Sequence, residues 1–288
     1  AASDVYKRQH TMYNALMATM KNDGSQISKY SPLEGRRQPG EEQCGMHINC
    51  CNANGPRGFA LIPKTACTIK DNHIYLNLYL PLQATISLNK KNKVHLNVES
   101  DYPIHGKVNV NIGVQKKEKF TLALRIPTQI EKMKAYINGE EQEITHKGGY
   151  LYIERIWENA DKVTLDFKIE TKVVKLNNSQ AIVRGPLLFA RDSRFNDGDI
   201  DECATIKCNN QGVIQAKIKK NKTGTFPWIT LTVPAVLGTD LENVENKTPK
   251  LINFCDFSSS GNDWNPNGRY RVWIPQTFHA MSEPYKKY

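Results

Sequence analysis

From residue 74 onward, apolar side chains recur at every second position of the chain. The stretch "KVNVNIGV" (107–114) is typical, because Val and Ile alternate there with Lys, Asn and Gly. Equivalent runs occupy 74–80, 94–98, 120–126 and 163–169. Successive side chains of a strand point to opposite faces, so this period gives each strand one apolar face. Many short alternating strands with turn signals between them predict a mainly β chain built from an antiparallel sandwich.

A second β block is predicted between residues 179 and 276. It begins at "SQAIVRGPLLFARDS" (179–193) and ends at "RYRVWIPQ" (269–276). Within the first block, the dipeptide Asn138-Gly139 predicts a tight hairpin, because both residues tolerate the positive φ that such turns require. Two antiparallel β-sandwich domains are therefore expected in succession.

The segment before the first β block has a helical period. Apolar residues in "HTMYNALMATMKNDG" (10–24) recur at steps of three and four, and Gly24 follows as a stop signal. A loop is predicted at 30–43 and another short helix within 49–67, although Gly55-Pro56 weakens a helix there. The predicted domains are 1–9, a non-native sequencing artefact; 10–68, a helical remnant; 69–176 and 177–276, the sandwiches; and 277–288, a tail.

The chain has a net charge of +10, but its lysines are scattered through short turns such as "QKKEK" (115–119). Nucleic-acid sites gather basic and aromatic side chains on one face, so we expect no nucleic-acid partner. No run of about 18 apolar residues is present, so we also expect no membrane span. The oligomeric state and the location, in a bacterial periplasm or cytoplasm, stay open.

Seven cysteines are spread unevenly over the 288 residues. Adjacent Cys50 and Cys51 cannot easily bridge each other, because a vicinal disulfide strains the geometry. Cys203 and Cys208 either close a small loop or stay free. An odd, sparse set of this kind does not indicate a disulfide scaffold.

Six segments carry a family resemblance. They are "MYNALMATMKNDGSQISKYSPLE" (12–34), "NCCNANGPRGF" (49–59), "KFTLALRIPTQIEKMKAYINGE" (119–140), "GGYLYIERIWENADKVTLDF" (148–167), "AIVRGPLLFA" (181–190) and "RYRVWIP" (269–275). In this order they resemble the C-terminal half of glycoside hydrolase family 127, the β-L-arabinofuranosidase family. The resemblance implies the end of an (α/α)6 barrel at 10–68, followed by two β-sandwich domains.

The resemblance also implies a zinc–thiolate site. In the family's Cys-Cys-x-x-Asn motif, matched by Cys50, Cys51 and Asn54, the first cysteine is the nucleophile and touches Zn²⁺, and the second is a zinc ligand. The other zinc ligands and the acid/base glutamate lie upstream in the family. The implied activity is retaining hydrolysis of terminal β-L-arabinofuranosides or a related plant-glycan sugar, with a carbohydrate as the partner. The chain is then an incomplete enzyme, a fragment that is inactive alone.

Three alternatives remain for the cysteine segment and the domains. In the first alternative, Cys50 and Cys51 are inert thiols in a core. In the second, Cys44 and His47 join them in a self-contained structural zinc site. In the third, the sandwiches are a non-catalytic module that binds carbohydrate or packs on a partner. Charged neighbours of the pair are expected to be solvated or paired at the surface. These are Glu34, Arg36, Arg37, Glu41, Glu42 and Arg57.

Overall fold

The computed structural model describes residues 7–45, 49–88, 92–222, 224–238 and 247–277. Strands make up 46% of the structure and helices 14%, so the predicted mainly β fold class is confirmed. Two compact units are present. One contains the described residues up to Ser31 together with 39–170 and 184–187, and the other contains 32–38, 171–183 and the described residues from Leu188 onward.

The helices are α1 (residues 7–18, with a π-helical turn at Thr11–Leu16), α2 (Gly40–Cys44) and α3 (Cys51–Ala66), and a 3₁₀ turn covers Ser193–Phe195. The strands are β1 Glu34–Gly35, β2 Cys67–Lys70, β3 His73–Leu76, β4 Leu82–Ser87, β5 Lys93–Ser100, β6 Lys107–Val114, β7 Glu118–Arg125, β8 Ile130–Ile137, β9 Glu140–Gln142, β10 His146–Lys147, β11 Tyr150–Trp157, β12 Asp161–Ile169, β13 Thr171–Leu176, β14 Ser179–Arg184, β15 Leu187–Asp192, β16 Ala204–Ile206, β17 Lys217–Lys220, β18 Ile229–Leu237, β19 Lys250–Asp256, β20 Tyr270–Arg271 and β21 Ile274–Pro275.

The first unit contains a sandwich of two sheets. One has five strands in the order β10-β11-β7-β3-β2, and the other has six in the order β4-β5-β6-β12-β8-β9. The pair β3–β7 is parallel, and the other pairs of both sheets are antiparallel. Alternate side chains of the sheets meet in one core, for example Leu96, Leu122, Trp157 and Leu165. Burying such side chains stabilises the fold by about 1.5–3 kcal/mol each.

The alternating runs of the sequence correspond to this core. In β6 the four apolar side chains predicted to share a face are all buried. The predicted strand at 74–80 is shorter than expected, because β3 ends at Leu76 and the backbone N–H of Asn77 donates to Ala66 O at 2.8 Å. The predicted hairpin joins β8 to β9, with φ of 51° at Asn138 and 93° at Gly139.

The second unit is built on a ten-stranded sheet whose main path runs β1-β20-β15-β19-β18-β16, with β13, β14, β17 and β21 attached to it. The loop residue Arg37 packs in this unit with its guanidinium 4.7 Å from the ring centres of Phe257 and Tyr270. Its Nη2 donates to Phe257 O at 2.8 Å, and burial lowers its pKa. The expectation of a surface pairing for Arg37 is therefore wrong.

Helix α1 overlaps the predicted helical segment but ends at residue 18, before the predicted stop at Gly24, and α2 forms at the end of the predicted loop 30–43. Helix α1 buries Met12 and Tyr13, and α3 runs through Pro56 and Pro63 for 16 residues, further than expected. Gly55 lets α3 approach a neighbour closely, since an added Cβ would lie 2.9 Å from Ile27. Among the described residues, none of the helices combines the length and apolar character needed to cross a bilayer.

Candidate active site

Cys50 and Cys51 lie at the beginning of α3. Cys51 is the first residue of the helix and is half-buried, whereas Cys50 precedes it and is exposed. The N-terminus of a helix carries a partial positive charge that favours a nearby thiolate over a thiol. Cys50 is open to solvent and Cys51 is half-buried, so the alternative of two thiols inside a core does not fit their exposure.

The amide of Asn49 fixes the start of α3. This buried side chain accepts the backbone N–H of Cys51 at 3.0 Å and donates to Ile27 O at 2.7 Å. One residue beyond the pair, Asn52 Oδ1 accepts the N–H of Ile27 at 2.8 Å. Both polar groups of the Ile27 backbone are thus bound by residues that flank the cysteines, and the segment around Ile27 is held beside them.

Gln43 holds the continuation of that segment against α2. Its Oε1 accepts the backbone N–H groups of Lys29 and Tyr30 at 2.6 and 2.9 Å, and its Nε2 donates to Tyr30 O at 3.1 Å. As a result Lys29 Nζ lies 2.7 Å from Cys44 Sγ. The thiol of Cys44 lies 3.0 Å from Gly40 O, one helical turn earlier.

The ammonium group of Lys29 acts electrostatically on three thiols. The hydrogen bond to Cys44 raises the pKa of Lys29, and the charges of Cys50 and Cys51 raise it further. Desolvation raises the pKa of the Cys51 thiol, as do the charge of Cys50 and the hydrogen bond between the two thiols, whereas Lys29 lowers it. The pKa of the Cys51 thiol is raised overall, and Lys29 offsets part of that rise.

Because Gly40 has no side chain, the Asn49 side chain can pack closely against it and support the pair Cys50-Cys51. A Cβ added to it would lie 2.5 Å from Asn49 Nδ2, a distance that real Cβ atoms do not reach. Since Asn49 is the residue that accepts the Cys51 N–H, any larger side chain at position 40 would displace the support of the cysteine pair.

The donor atoms of this cluster fit Zn²⁺ in kind, because thiolates are preferred zinc ligands. In the portion of the chain that the structure describes, no group of three or more His, Cys, Asp and Glu side chains lies close enough to hold a metal. His47, the fourth member of the predicted self-contained site, lies outside the described residues. A tetrahedral zinc site that used Cys50 and Cys51 would need two further ligands.

The other candidates near the pair have different environments. Glu34 accepts a hydrogen bond from Arg271 Nε at 3.0 Å in the second unit. Arg57 Nη1 donates to Asn54 Oδ1 at 3.0 Å. Glu41 and Glu42 occupy the first turn of α2. None of these contacts points to an acid/base role.

All seven cysteines are free thiols, so Cys203 and Cys208 do not form a bridge. Burial raises the pKa of Cys67 to about 11 and holds that of Cys255 well above its usual range. These two thiols are unreactive in comparison with the exposed Cys50.

Lys29, Gln43 and Asn49 were not among the site residues predicted from the sequence. Asn49 carries a usable signal, because Asn is frequent immediately before a helix. Lys29 carries none, since it is one of many lysines and contacts Cys44 only through the fold.

Comparisons with known proteins show what the fold of this chain is similar to. Residues 73–169 match the family model described as the GH127 middle domain of β-L-arabinofuranosidase. A solved GH127 β-L-arabinofuranosidase from Geobacillus stearothermophilus T6, Ara127N-Se, is similar with a TM-score of 0.75 at 20% identity, over 96% of this chain and 46% of the other. A structure described as a glycoside hydrolase gives 0.72 at 22% identity, over 95% and 48%. The GH127 β-arabinofuranosidase BT3674 gives 0.72 at 23% identity, over 95% and 46%.

No curated protein matches the sequence. At these identities the solved structures establish the fold, and the chain spans about half the length of each of them. The family match covers the two-sheet sandwich of the first unit apart from its edge strand β2. The resemblance predicted from the sequence is thus confirmed: residues 73–169 are similar to the middle domain of the GH127 β-L-arabinofuranosidases, and nearly all of the chain has the fold of solved GH127 structures.

Proposed function

We propose that this chain contributes the nucleophile of a retaining glycosidase that removes terminal β-L-arabinofuranosyl groups, or a related sugar, from plant glycans. The observation that carries the proposal is the exposed thiol of Cys50 at the N-terminus of α3, with the positive charge of Lys29 close by. The match of the adjoining sandwich to the GH127 middle domain supports the glycosidase class.

In the proposed reaction the Cys50 thiolate attacks the anomeric carbon, the C–S bond forms, and the C–O bond to the leaving group breaks. A general acid must protonate the departing oxygen, and the same group must then deprotonate the water that cleaves the C–S bond. The family resemblance implies a glutamate upstream of residue 10 for that role.

We propose that Cys50 and Cys51 also bind Zn²⁺, together with ligands from the same upstream part. When bound, the metal would deprotonate both thiols and fix their orientation. The Cys44 thiol donates to Gly40 O and accepts from Lys29 Nζ, and we do not assign it as a zinc ligand.

We propose that the chain is the C-terminal part of a longer enzyme and that residues 10–68 are the end of that enzyme's (α/α)6 barrel. The 288 residues alone should then lack glycosidase activity, because the acid and two zinc ligands are absent from them. The 46–48% coverage of the solved structures is consistent with this division.

The test is hydrolysis of an aryl β-L-arabinofuranoside by the coding sequence extended upstream, compared with its Cys50→Ser variant. We expect the variant to lose about a thousandfold or more in kcat/KM, because an alcohol at this site is not ionised. Cys208→Ser is the matched control, since Cys208 is half-buried in the second unit, and it should keep full activity.

An unchanged rate in Cys50→Ser would reject the nucleophile assignment. Robust hydrolysis by the 288-residue chain itself would show that the active site is not divided between this chain and an upstream part. If the extended protein hydrolyses none of a panel of aryl glycosides, the enzymatic proposal fails, and the alternative of a non-catalytic carbohydrate-binding module is favoured.

A further inference from the structure

Cys44 has no role in the proposed hydrolysis, yet its thiol is in close contact with a lysine. Lys29 Nζ lies 2.7 Å from Cys44 Sγ. This separation is at the short limit of N–H···O hydrogen bonds, although sulfur is a larger atom than oxygen. The nitrogen and the sulfur are therefore closer together than an ordinary hydrogen bond between these two elements brings them.

The fold holds the two side chains in this contact. Gln43, the neighbour of Cys44 in α2, accepts the backbone N–H of Lys29 at 2.6 Å and that of Tyr30 at 2.9 Å. On its other side, Cys44 Sγ lies 3.0 Å from Gly40 O. All of these contacts join residues between 29 and 44, so neither the segment 1–9 nor an upstream part of an enzyme supplies them.

The strongest partner of the Lys29 ammonium group is a thiol. The hydrogen bond to Cys44 has the largest effect on the pKa of Lys29 and raises it, and the charge of Cys44 raises it further. A neighbouring cation favours the thiolate, which is the form of cysteine that oxidants attack. Both side chains are half-buried, so a small oxidant has access to the sulfur.

The nitrogen of Lys29 is also the nearest reaction partner that the structure gives to an oxidised Cys44. It lies against Sγ already, whereas Cys50 and Cys51 share a hydrogen bond with each other. An oxidised cysteine condenses with a nucleophile that is in contact with it, and nitrogen atoms serve in this role as thiols do.

We propose that Lys29 and Cys44 form a redox-sensitive cross-link in which one oxygen atom joins Nζ to Sγ. A bent N–O–S bridge holds its nitrogen and sulfur at about the separation that the structure shows, so the bridge requires little movement of either side chain. A direct N–S bond would require the two atoms to move closer together.

Hydrogen peroxide is the oxidant of the proposed reaction. One peroxide molecule converts the Cys44 thiol to a sulfenic acid and is reduced to water. A second oxidises the Lys29 amine to a hydroxylamine and also gives water. The hydroxylamine oxygen then attacks the sulfenic sulfur, the S–O bond forms, and the sulfenic hydroxyl leaves with the hydroxylamine proton as a third water. Four electrons thus pass from the two side chains to the two peroxide molecules.

The cross-link would change the surroundings of the cysteine pair. It replaces the ammonium group of Lys29 by an uncharged nitrogen and ties the segment around residue 29 covalently to α2. Control of hydrolysis by this cross-link would rest on the proposed function. Formation of the cross-link does not rest on it, because neither Cys50 nor Cys51 takes part.

Mass spectrometry of the peroxide-treated 288-residue chain, digested with trypsin without reduction, tests the proposal. Trypsin should no longer cleave after Lys29, and the peptide that contains Lys29 should be joined to the peptide that contains Cys44. The joined species gains one oxygen and loses two hydrogens, so it should weigh about 14 Da more than its two component peptides. Dithiothreitol should cleave the S–O bond and separate them.

Two variants should lose the joined species. Cys44→Ala removes the sulfur, and Lys29→Arg keeps the positive charge but replaces the amine by a guanidinium that stays protonated. Lys21→Arg is the matched control, since Lys21 pairs with Asp23 instead of a thiol, and it should retain the cross-link. Cys50→Ser should retain it as well, which separates this result from the nucleophile assignment.

Circular dichroism checks that each variant is folded, and Lys29→Arg, the more conservative change, carries the test if Cys44→Ala unfolds. A disulfide between Cys44 and either Cys50 or Cys51 would overturn the proposal, and so would oxidation of Cys44 with Lys29 unmodified. A joined species that has lost two hydrogens without gaining oxygen would replace the oxygen bridge by a direct N–S bond. A joined species that persists in Lys29→Arg would exclude Lys29 as the partner.

Discussion

At the scale of single residues, Asn49 couples the cysteine pair to the rest of the first unit. Its amide joins the Cys51 N–H to Ile27 O, and it does so while buried. Removing a side chain that satisfies two buried backbone groups leaves both without a partner. The position of Cys50 therefore depends on a neutral polar residue that takes no part in the proposed chemistry.

We predict that Asn49→Ala lowers the free energy of unfolding by about 1–2 kcal/mol. The matched control is Asn54→Ala, an exposed residue of the same helix whose amide bonds only Cys50 O and Arg57; its effect should stay below about 0.5 kcal/mol. The midpoint of urea denaturation provides the measurement. Equal midpoints for the two variants would show that Asn49 does not support the pair.

A second prediction at this scale concerns the reactivity of the thiols. At pH 8, iodoacetamide should label exposed Cys50 first and Cys67 and Cys255 last. Burial raises the pKa of Cys67 to about 11, so its thiolate fraction at pH 8 is very small, and it grows as the pH rises toward that pKa. Peptide mapping by mass spectrometry over time ranks the sites. Labelling of Cys67 ahead of Cys50 would contradict the burial described above.

Much of the candidate site at this scale could not be predicted from the sequence. The pair Cys50-Cys51 is visible because the two residues are adjacent and stand in a recognisable motif. Lys29 reaches Cys44 across 15 positions, and Gln43 reaches Tyr30 across 13. Contacts of this length depend on the path of the chain between them, and a polar residue in a loop has no periodicity that reveals its partner.

At the scale of elements, the first sandwich depends on tight contact where β6 begins beside β12. A Cβ added to Gly106 would lie 1.8 Å from the carbonyl oxygen of Phe167, a backbone atom that cannot move aside. Gly113, near the other end of β6, leaves an ordinary distance of 3.4 Å to His95 Cβ. The two glycines therefore have different roles in one strand segment.

We predict that Gly106→Ala destabilises the protein by at least about 2 kcal/mol, through overpacking against backbone. Gly113→Ala should change the stability by less than about 1 kcal/mol. Thermal unfolding followed by circular dichroism distinguishes the two. A melting temperature for Gly106→Ala equal to that of Gly113→Ala would show that the strands can separate locally without cost.

Whether a segment forms a strand or a turn was predictable from the sequence where a single physical rule decides it. The period of two in β5, β6 and β12 matches their buried faces, because each has one side in the core, whereas β7 is buried on both faces from Phe120 to Arg125. The Asn138-Gly139 turn followed from its φ requirement. The ends of β3 and the length of α3 were not predictable, since they depend on Asn77 and Gly55, whose partners lie elsewhere in the fold.

At the scale of the whole molecule, the chain combines a β-rich fold shared with GH127 enzymes and a cysteine pair at the start of its last helix. It spans about half the length of those structures. We predict that the covalent bond to the sugar forms on Cys50 of this chain and that the proton for the leaving group comes from the upstream part of the enzyme.

The most direct measurement of that claim is a trapping experiment. The protein extended upstream is mixed with an activated aryl β-L-arabinofuranoside, quenched in acid during turnover, digested and analysed by mass spectrometry. The account predicts that the peptide containing Cys50 gains the mass of one anhydropentose, and that Cys50→Ser abolishes this gain. An anhydropentose on any other residue, or steady turnover with Cys50 unmodified at every quench time, would contradict it.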